Sequence, residues 1–143
     1  MKAGRVHVVY LSNQALDILV ALKTCAGGSL YLLPGRYDTE AGISNATLNR
    51  VIDATLAKLS AEGREMEPFT VHDLRRTGST LLHEAGFNSD WIEKCLAHVQ
   101  KGVRAIYNKA EYAEQRRQML QAWADMVDGW IRGADVVPLR RVA

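Results

Sequence analysis

The stretch Thr70-Val-His-Asp-Leu-Arg-Arg-Thr77 constrains this chain more than any other. Wound as a helix at about 100° per residue, it sends His72, Arg75, Arg76, Ser79 and His83 to one face. Leu74, Gly78, Leu81, Leu82 and Ala85 take the other. A surface helix ordinarily sets mixed Glu and Lys opposite its apolar stripe. Here a histidine and two arginines crowd one turn, and the nearby acid, Asp73, lies off to the side. Positive charge at a helix start opposes the helix dipole, a cost that a bound anion would reverse. The planar guanidinium fork suits phosphate oxygens, and an imidazole one turn away can donate a hydrogen bond or move a proton. The cluster is built for an anion.

Further on, Leu96-Ala-His98 is followed nine residues later by Tyr107, inside Val103-Arg-Ala-Ile-Tyr-Asn108. His-x-x-Arg opening a helix, a Leu-Ala/Gly-His turn and a tyrosine at that offset together resemble the catalytic domain of the tyrosine recombinases, or phage integrases. The runs His-Asp-Leu-Arg-Arg-Thr and Ala-Ile-Tyr-Asn-Lys-Ala-Glu-Tyr are similar to those of prophage and genomic-island integrases. The resemblance runs from about Lys2 to Trp130 and is specific from Pro68 to Glu114.

Phosphodiester cleavage without metal needs an in-line nucleophile and donors for the non-bridging oxygens. It also needs an acceptor for the nucleophile's proton and a donor for the leaving oxygen. The resemblance implies who fills these roles. Tyr107 attacks the scissile phosphate, leaving a 3′-phosphotyrosine and a free 5′-hydroxyl, and the preserved bond energy lets the strand rejoin without ATP. Arg75 clamps a non-bridging oxygen, and His72 and His98 hydrogen-bond the phosphate and assist proton transfer. Lys2, in Lys2-Ala-Gly-Arg-Val-His7, matches the family's β-hairpin lysine and would protonate the leaving oxygen; the bland alternative is a terminal lysine without a role. Arg76, Arg104, Lys109 and His7 are the expected DNA contacts, although Arg76 has an acid to pair with as an alternative. Lys101, Arg104, Lys109, Arg116 and Arg117 outnumber Glu111 and Glu114 around Tyr107, a local excess suited to a phosphate backbone.

No cofactor and no metal are implied. The implied partners are double-stranded DNA of the attachment-site type and other protomers on DNA, the latter through the 111–132 helix. The implied setting is the bacterial cytoplasm, at the nucleoid. One family element has no counterpart before Lys2: the first arginine, in a turn resembling Thr-Gly-x-Arg-x-Gly-Glu. Arg36 and Arg50 fall in the wrong segment. Losing one such donor typically costs about 10²–10³-fold in rate, and an absent DNA-clamping domain removes phosphate contacts. These residues alone are therefore expected to form an impaired recombinase, inactive in isolation.

The remainder reads as a mainly α domain with a small N-terminal β-element. The 143 residues suffice for one domain with a core. A hydrophobic share of 48% speaks against disorder. The net charge of +2 permits nucleic-acid binding without arguing for it. Cys25 and Cys95 show no pairing pattern, as in a reducing compartment. No signal peptide or apolar run of about 18 residues is visible, so neither secretion nor membrane spanning is expected. Residues 1–12 alternate like a strand and read as a hairpin remnant; a strand there needs a partner, so the sequence is expected to be a piece of a longer one. Residues 13–110 form the helical core with the site, 111–132 an amphipathic helix, and 133–143 a tail. Within the core, helices are expected from Ser12 to about Lys23, from Ser44 or Asn45, from Val71 to Glu84 with Gly86 closing it, and from Asp90 to about Ala97. Leu30-Tyr-Leu-Leu33 reads as a short buried strand or extended piece, residues 34–43 as loop, and Gly102 as the opening of a short helix that holds Tyr107.

Other readings compete. Tyr112 rivals Tyr107 as nucleophile but falls on the apolar stripe of the last helix with Met119, Leu120, Trp123, Met126, Val127 and Trp130. Cys95-Leu-Ala-His98 has a metal-like spacing, yet a structural zinc needs four ligands and no second pair is visible. His72 to Ala97 also has the outline of a helix-turn-helix DNA reader; its second helix would set Asp90 and Glu93 against Lys94, a poor charge for the major groove. A helical oligomerisation module built on the last helix would explain Trp123 and Trp130 and leave the His/Arg/Tyr spacing to chance.

Overall fold

Helix ends leave backbone groups that need partners, and here those partners define the elements. The computed structural model describes residues 7–98 and 110–133. Along them run α1 (Asn13–Cys25), α2 (Asn45–Ala61), α3 (Val71–Glu84), α4 (Ser89–Cys95) and α5 (Ala113–Ile131). The chain is mainly helical, as its periodicity predicts. After α2, the Gly63 amide donates to Ser60 O at 3.0 Å and the Arg64 amide to Leu59 O at 2.9 Å. After α3, Gly86 donates to His83 O at 3.0 Å and Phe87 to Leu82 O at 3.1 Å. Both are Schellman closures, and Gly63 and Gly86 hold the left-handed position at φ +74° and +82°. α4 opens on Asn88, whose side chain accepts the Asp90 amide at 2.8 Å.

The chain falls into two compact units, residues 17–78 and the described residues on either side of them. In residues 17–78 the loop after α1 is tied by polar contacts. The Lys23 ammonium donates to the Ser29 carbonyl, and the buried Ser29 hydroxyl donates to Thr39 O at 2.7 Å. Gly35 donates to Ala41 O at 2.8 Å and Ile43 to Leu33 O at 3.0 Å, around an antiparallel bridge of Pro34 with Gly42. Leu30–Leu33, expected as a buried strand or extended piece, is a series of bends and stays exposed. Leu30 is 89% exposed, and of these four carbonyls only that of Leu33 is taken up by the folded-back loop. On α2, Ile52, Leu56 and Leu59 are half-buried while Leu48 and Val51 stay exposed.

The other unit holds the core: Leu82 of α3, Ile92 of α4 and Met119 of α5, flanked by Phe87, Trp91, Leu96, Trp123 and Met126. Trp123 and Trp130 meet edge to face at 5.6 Å. A polar ladder joins the start of α1 to α5: Gln121 Oε1 accepts the Asn13 amide at 2.9 Å, and Gln14 Nε2 donates to Asp125 Oδ1 at 2.7 Å.

Two expectations are corrected in this unit. No strand occurs in residues 7–12; the Val8 carbonyl accepts from the Arg116 guanidinium where a sheet partner was expected. Tyr112 is not on the stripe of α5 but precedes it as the N-cap residue, half-buried and left-handed at φ +49°. The short helix expected from Gly102 lies outside the described residues, as do Lys2, Arg104, Tyr107, Lys109 and the tail beyond residue 133.

Candidate active site

In the unit of residues 17–78, the start of α3 is built by Thr70 and Asp73. The Thr70 amide donates to Asp73 Oδ2 at 3.0 Å, and the Asp73 amide donates to Thr70 Oγ1 at 3.3 Å. This is a reciprocal capping box. Asn49 Oδ1 accepts the Val71 amide at 3.1 Å. The first turn is thus fixed by groups other than the His72 and Arg75 side chains, and both residues stand exposed. Arg76 pairs with Asp73 Oδ1 at 3.3 Å and is also exposed. Leu74, expected on a covered face, is 55% exposed; only further along does α3 reach the core, through Leu82.

Hydrogen bonds from Thr70, with the charge of Arg76 added, hold the Asp73 carboxyl below its ordinary range. Because the folded value is depressed, the stabilisation is complete above the unfolded carboxylate value and is lost as pH falls through the folded one. Circular dichroism should therefore register an acid-linked loss of helix. Thr70→Ala should cost about 1 kcal/mol at neutral pH and shrink that acid-linked step.

In the other unit, α4 closes with the same motif as α2 and α3 but without a glycine. The Ala97 amide donates to Lys94 O at 3.2 Å and the His98 amide to Glu93 O at 3.0 Å, with Ala97 left-handed at φ +54°. His98 is therefore locked to Glu93 through its backbone. Its side chain repeats the link, with Nδ1 at 2.7 Å from Glu93 Oε2. The next residue, Lys94, donates to Glu111 Oε1 at 2.8 Å. A left-handed alanine costs about 1 kcal/mol. Ala97→Gly should raise stability by roughly 0.5 kcal/mol once the looser unfolded chain is counted, read as a higher urea midpoint at unchanged slope.

An exposed His-x-x-Arg on a capped first turn and a Leu-Ala-His closure are two separate local geometries. The sequence profile described as the phage integrase family matches residues 1–114. The chain belongs to the phage integrase family. It is 40% identical over 134 residues to prophage integrase IntZ of Escherichia coli K12, covering 93% of this chain and 31% of that protein. Prophage integrase IntA of the same strain is 40% identical over 138 residues, 96% of this chain and 32% of that one. The integrase of Shigella phage Sf6 is 36% identical over 135 residues, 92% and 33% of the two chains. The chain thus spans about a third of the length of these relatives. No solved structure matches it.

Within this integrase-family chain, His72, Arg75 and Arg76 share the first two turns of α3, while His98 and His7 belong to the other unit. His7 is half-buried and adds its charge to the surroundings of Glu111. The hydrogen bond from Lys94, then the charges of Lys94, Arg116 and His7, hold the Glu111 carboxyl below its ordinary range. Arg116, expected in the basic excess around Tyr107, is instead 1% exposed. Its guanidinium donates to the carbonyls of Val8 and Glu111 and lies 5.0 Å over the Tyr10 ring, so it serves the fold.

Sequence reasoning missed three pairings. The Thr70-x-x-Asp73 spacing was a legible capping-box signal. Glu93 with His98 had no such signal because it depends on how α4 closes, and Lys94 with Glu111 had none because it joins residues 17 apart through packing. These pairings also bear on the helix-turn-helix outline. Asp90 is buried and Glu93 and Lys94 are engaged internally, so α4 offers no basic face for a major groove. No helix among the described residues is long and apolar enough to cross a membrane.

Proposed function

We propose that the chain carries the strand-cleaving machinery of a tyrosine recombinase that integrates or excises mobile DNA. Tyr107 is the nucleophile, forming a 3′-phosphotyrosine as the bond to the 5′ oxygen breaks. Arg75 stabilises charge on a non-bridging oxygen, His72 and His98 hydrogen-bond the phosphate and assist proton transfer, and Lys2 gives a proton to the leaving oxygen. Arg76, Arg104, Lys109 and His7 hold the flanking backbone of double-stranded DNA. Further protomers assemble on the same DNA, in the bacterial cytoplasm. Docking between protomers through the 111–132 helix would have to draw on surface beyond Met119, Trp123 and Met126, which are spent on the unit's own core.

The observation that carries this reading is the presentation of His72 and Arg75. They stand exposed on the first two turns of a helix whose cap is satisfied without them, in a chain of the phage integrase family. Positive charge near a helix start opposes the helix dipole, and a bound anion would reverse that cost. The 143 residues alone lack the family's first arginine, so cleavage by them should run about 10²–10³-fold slower than in a protein that supplies it.

The test is a nicked duplex bearing the candidate attachment site, incubated in chelator with the chain, alone and extended upstream where its locus encodes more. A protein–DNA adduct that survives denaturing electrophoresis is expected from the extended protein. If the extended protein forms none on its own site, a DNA-binding remnant or a helical interaction module becomes the better account.

A further inference from the structure

We propose that Glu93 is a positioning residue for His98, holding the imidazole by Nδ1 so that Nε2 is the nitrogen offered to the scissile phosphate. The inference rests on the recombinase reading above. Its ground is the double tie at the end of α4. The Schellman closure through left-handed Ala97 brings the His98 amide to Glu93 O at 3.0 Å, and the same residue's carboxylate meets Nδ1 at 2.7 Å.

A carboxylate only accepts hydrogen bonds, so this contact requires the proton on Nδ1. The neutral ring then carries its lone pair on Nε2, and the protonated ring carries a donor there. In either state the nitrogen left for the substrate is the same one. A histidine without such a partner can place its proton on either nitrogen and turn about its side-chain bonds. The contact therefore restricts both the tautomer and the ring orientation before DNA arrives, which is the preorganisation that phosphate chemistry rewards.

Glu93 is suited to this by its place in the chain. It lies in the last turn of α4, two residues from Cys95, which packs against the core cluster with its neighbours Ile92 and Leu96. Its own position is thus set by a helix anchored in the core through Ile92 and not by the histidine it holds. Lys94 is occupied with Glu111 at 2.8 Å, so the ammonium beside Glu93 does not compete for the carboxylate.

The experiment is long-range ¹H–¹⁵N correlation of the imidazoles in the full chain, with His98 assigned by its loss in His98→Gln, and with Glu93→Ala and Glu93→Gln alongside. The wild-type ring is expected to show a protonated Nδ1 and, on adding duplex DNA, a shift at Nε2. Glu93→Ala should lose the tautomer preference, and Glu93→Gln, whose amide oxygen still accepts from Nδ1, should largely restore it. Thermal melts of both variants would show that the fold survives. A wild-type ring protonated on Nε2, or an Ala variant with the wild-type pattern, would overturn the proposal. A correct Nδ1–H pattern that ignores DNA would keep the pair as a structural contact and remove the role claimed for it. Failure of the recombinase reading is seen separately, as the absence of adduct from the extended protein.

Discussion

Tyr107→Phe is expected to abolish covalent adducts on a nicked attachment-site duplex while leaving DNA affinity within about twofold, since affinity is carried by phosphate neutralisation through Lys and Arg. The substitution removes one oxygen, the atom that would form the bond to phosphorus. Phenylalanine keeps the ring and loses only the phenol. Tyr112→Phe is the matched control. Tyr112 caps α5 in a left-handed conformation, its carbonyl accepting the Arg116 amide at 2.8 Å, and a backbone role of that kind is indifferent to the phenol. Adducts should persist in Tyr112→Phe. The checks are a denaturing gel for the adduct and a mobility shift at fixed salt for affinity. Loss of the adduct in Tyr112→Phe alone would reverse the assignment of the nucleophile. Equal loss of affinity and adduct in Tyr107→Phe would mean that the residue is structural.

What the sequence disclosed about this fold divides along physical lines. The bounds of α3 and the glycine that ends it were legible because helical periodicity and left-handed closure are local and involve neighbouring residues, although the Thr70–Asp73 cap went unread. The stripe of Met119, Trp123 and Met126 was legible because it is periodic. Leu30–Leu33 misled because a short apolar run cannot report whether anything covers it; here nothing within its unit does so fully. Residues 7–12 misled because alternation predicts the shape of a strand and not its hydrogen-bond partner. That partner is an arginine 108 residues away. In the candidate site, His72, Arg75 and His98 were visible through residue type and spacing. Glu93 was not, since its link to His98 exists only because Ala97 turns the chain back.

Arg116→Ala is expected to destabilise the protein by about 3 kcal/mol or more, an effect the sequence alone would have assigned to DNA binding. Arg116 is buried, and its donors serve two carbonyls at once, Val8 O and Glu111 O. Its guanidinium also lies 5.0 Å from the Tyr10 ring centroid, with Arg117 at 5.3 Å from the same ring. Truncation leaves both carbonyls without their donor and opens a cavity where the stem had packed. Compensation is already incomplete in the native state: Nε has no partner among the described residues, and the Glu111 carboxylate at 3.7 Å is 70% exposed. Arg116→Met separates the two costs. It keeps most of the volume and strands no carboxylate, since Glu111 retains Lys94. It should therefore cost roughly half as much, the remainder being the unmade bonds to the two carbonyls. Arg116→Lys should not rescue fully, because one ammonium lacks the planar fork that reaches both oxygens and stacks on Tyr10. Urea unfolding would rank the three variants, and proteolysis near Val8 would report whether residues 7–12 detach first. If Arg116→Ala lowered DNA affinity without changing the urea midpoint, the arginine would belong to the DNA interface after all.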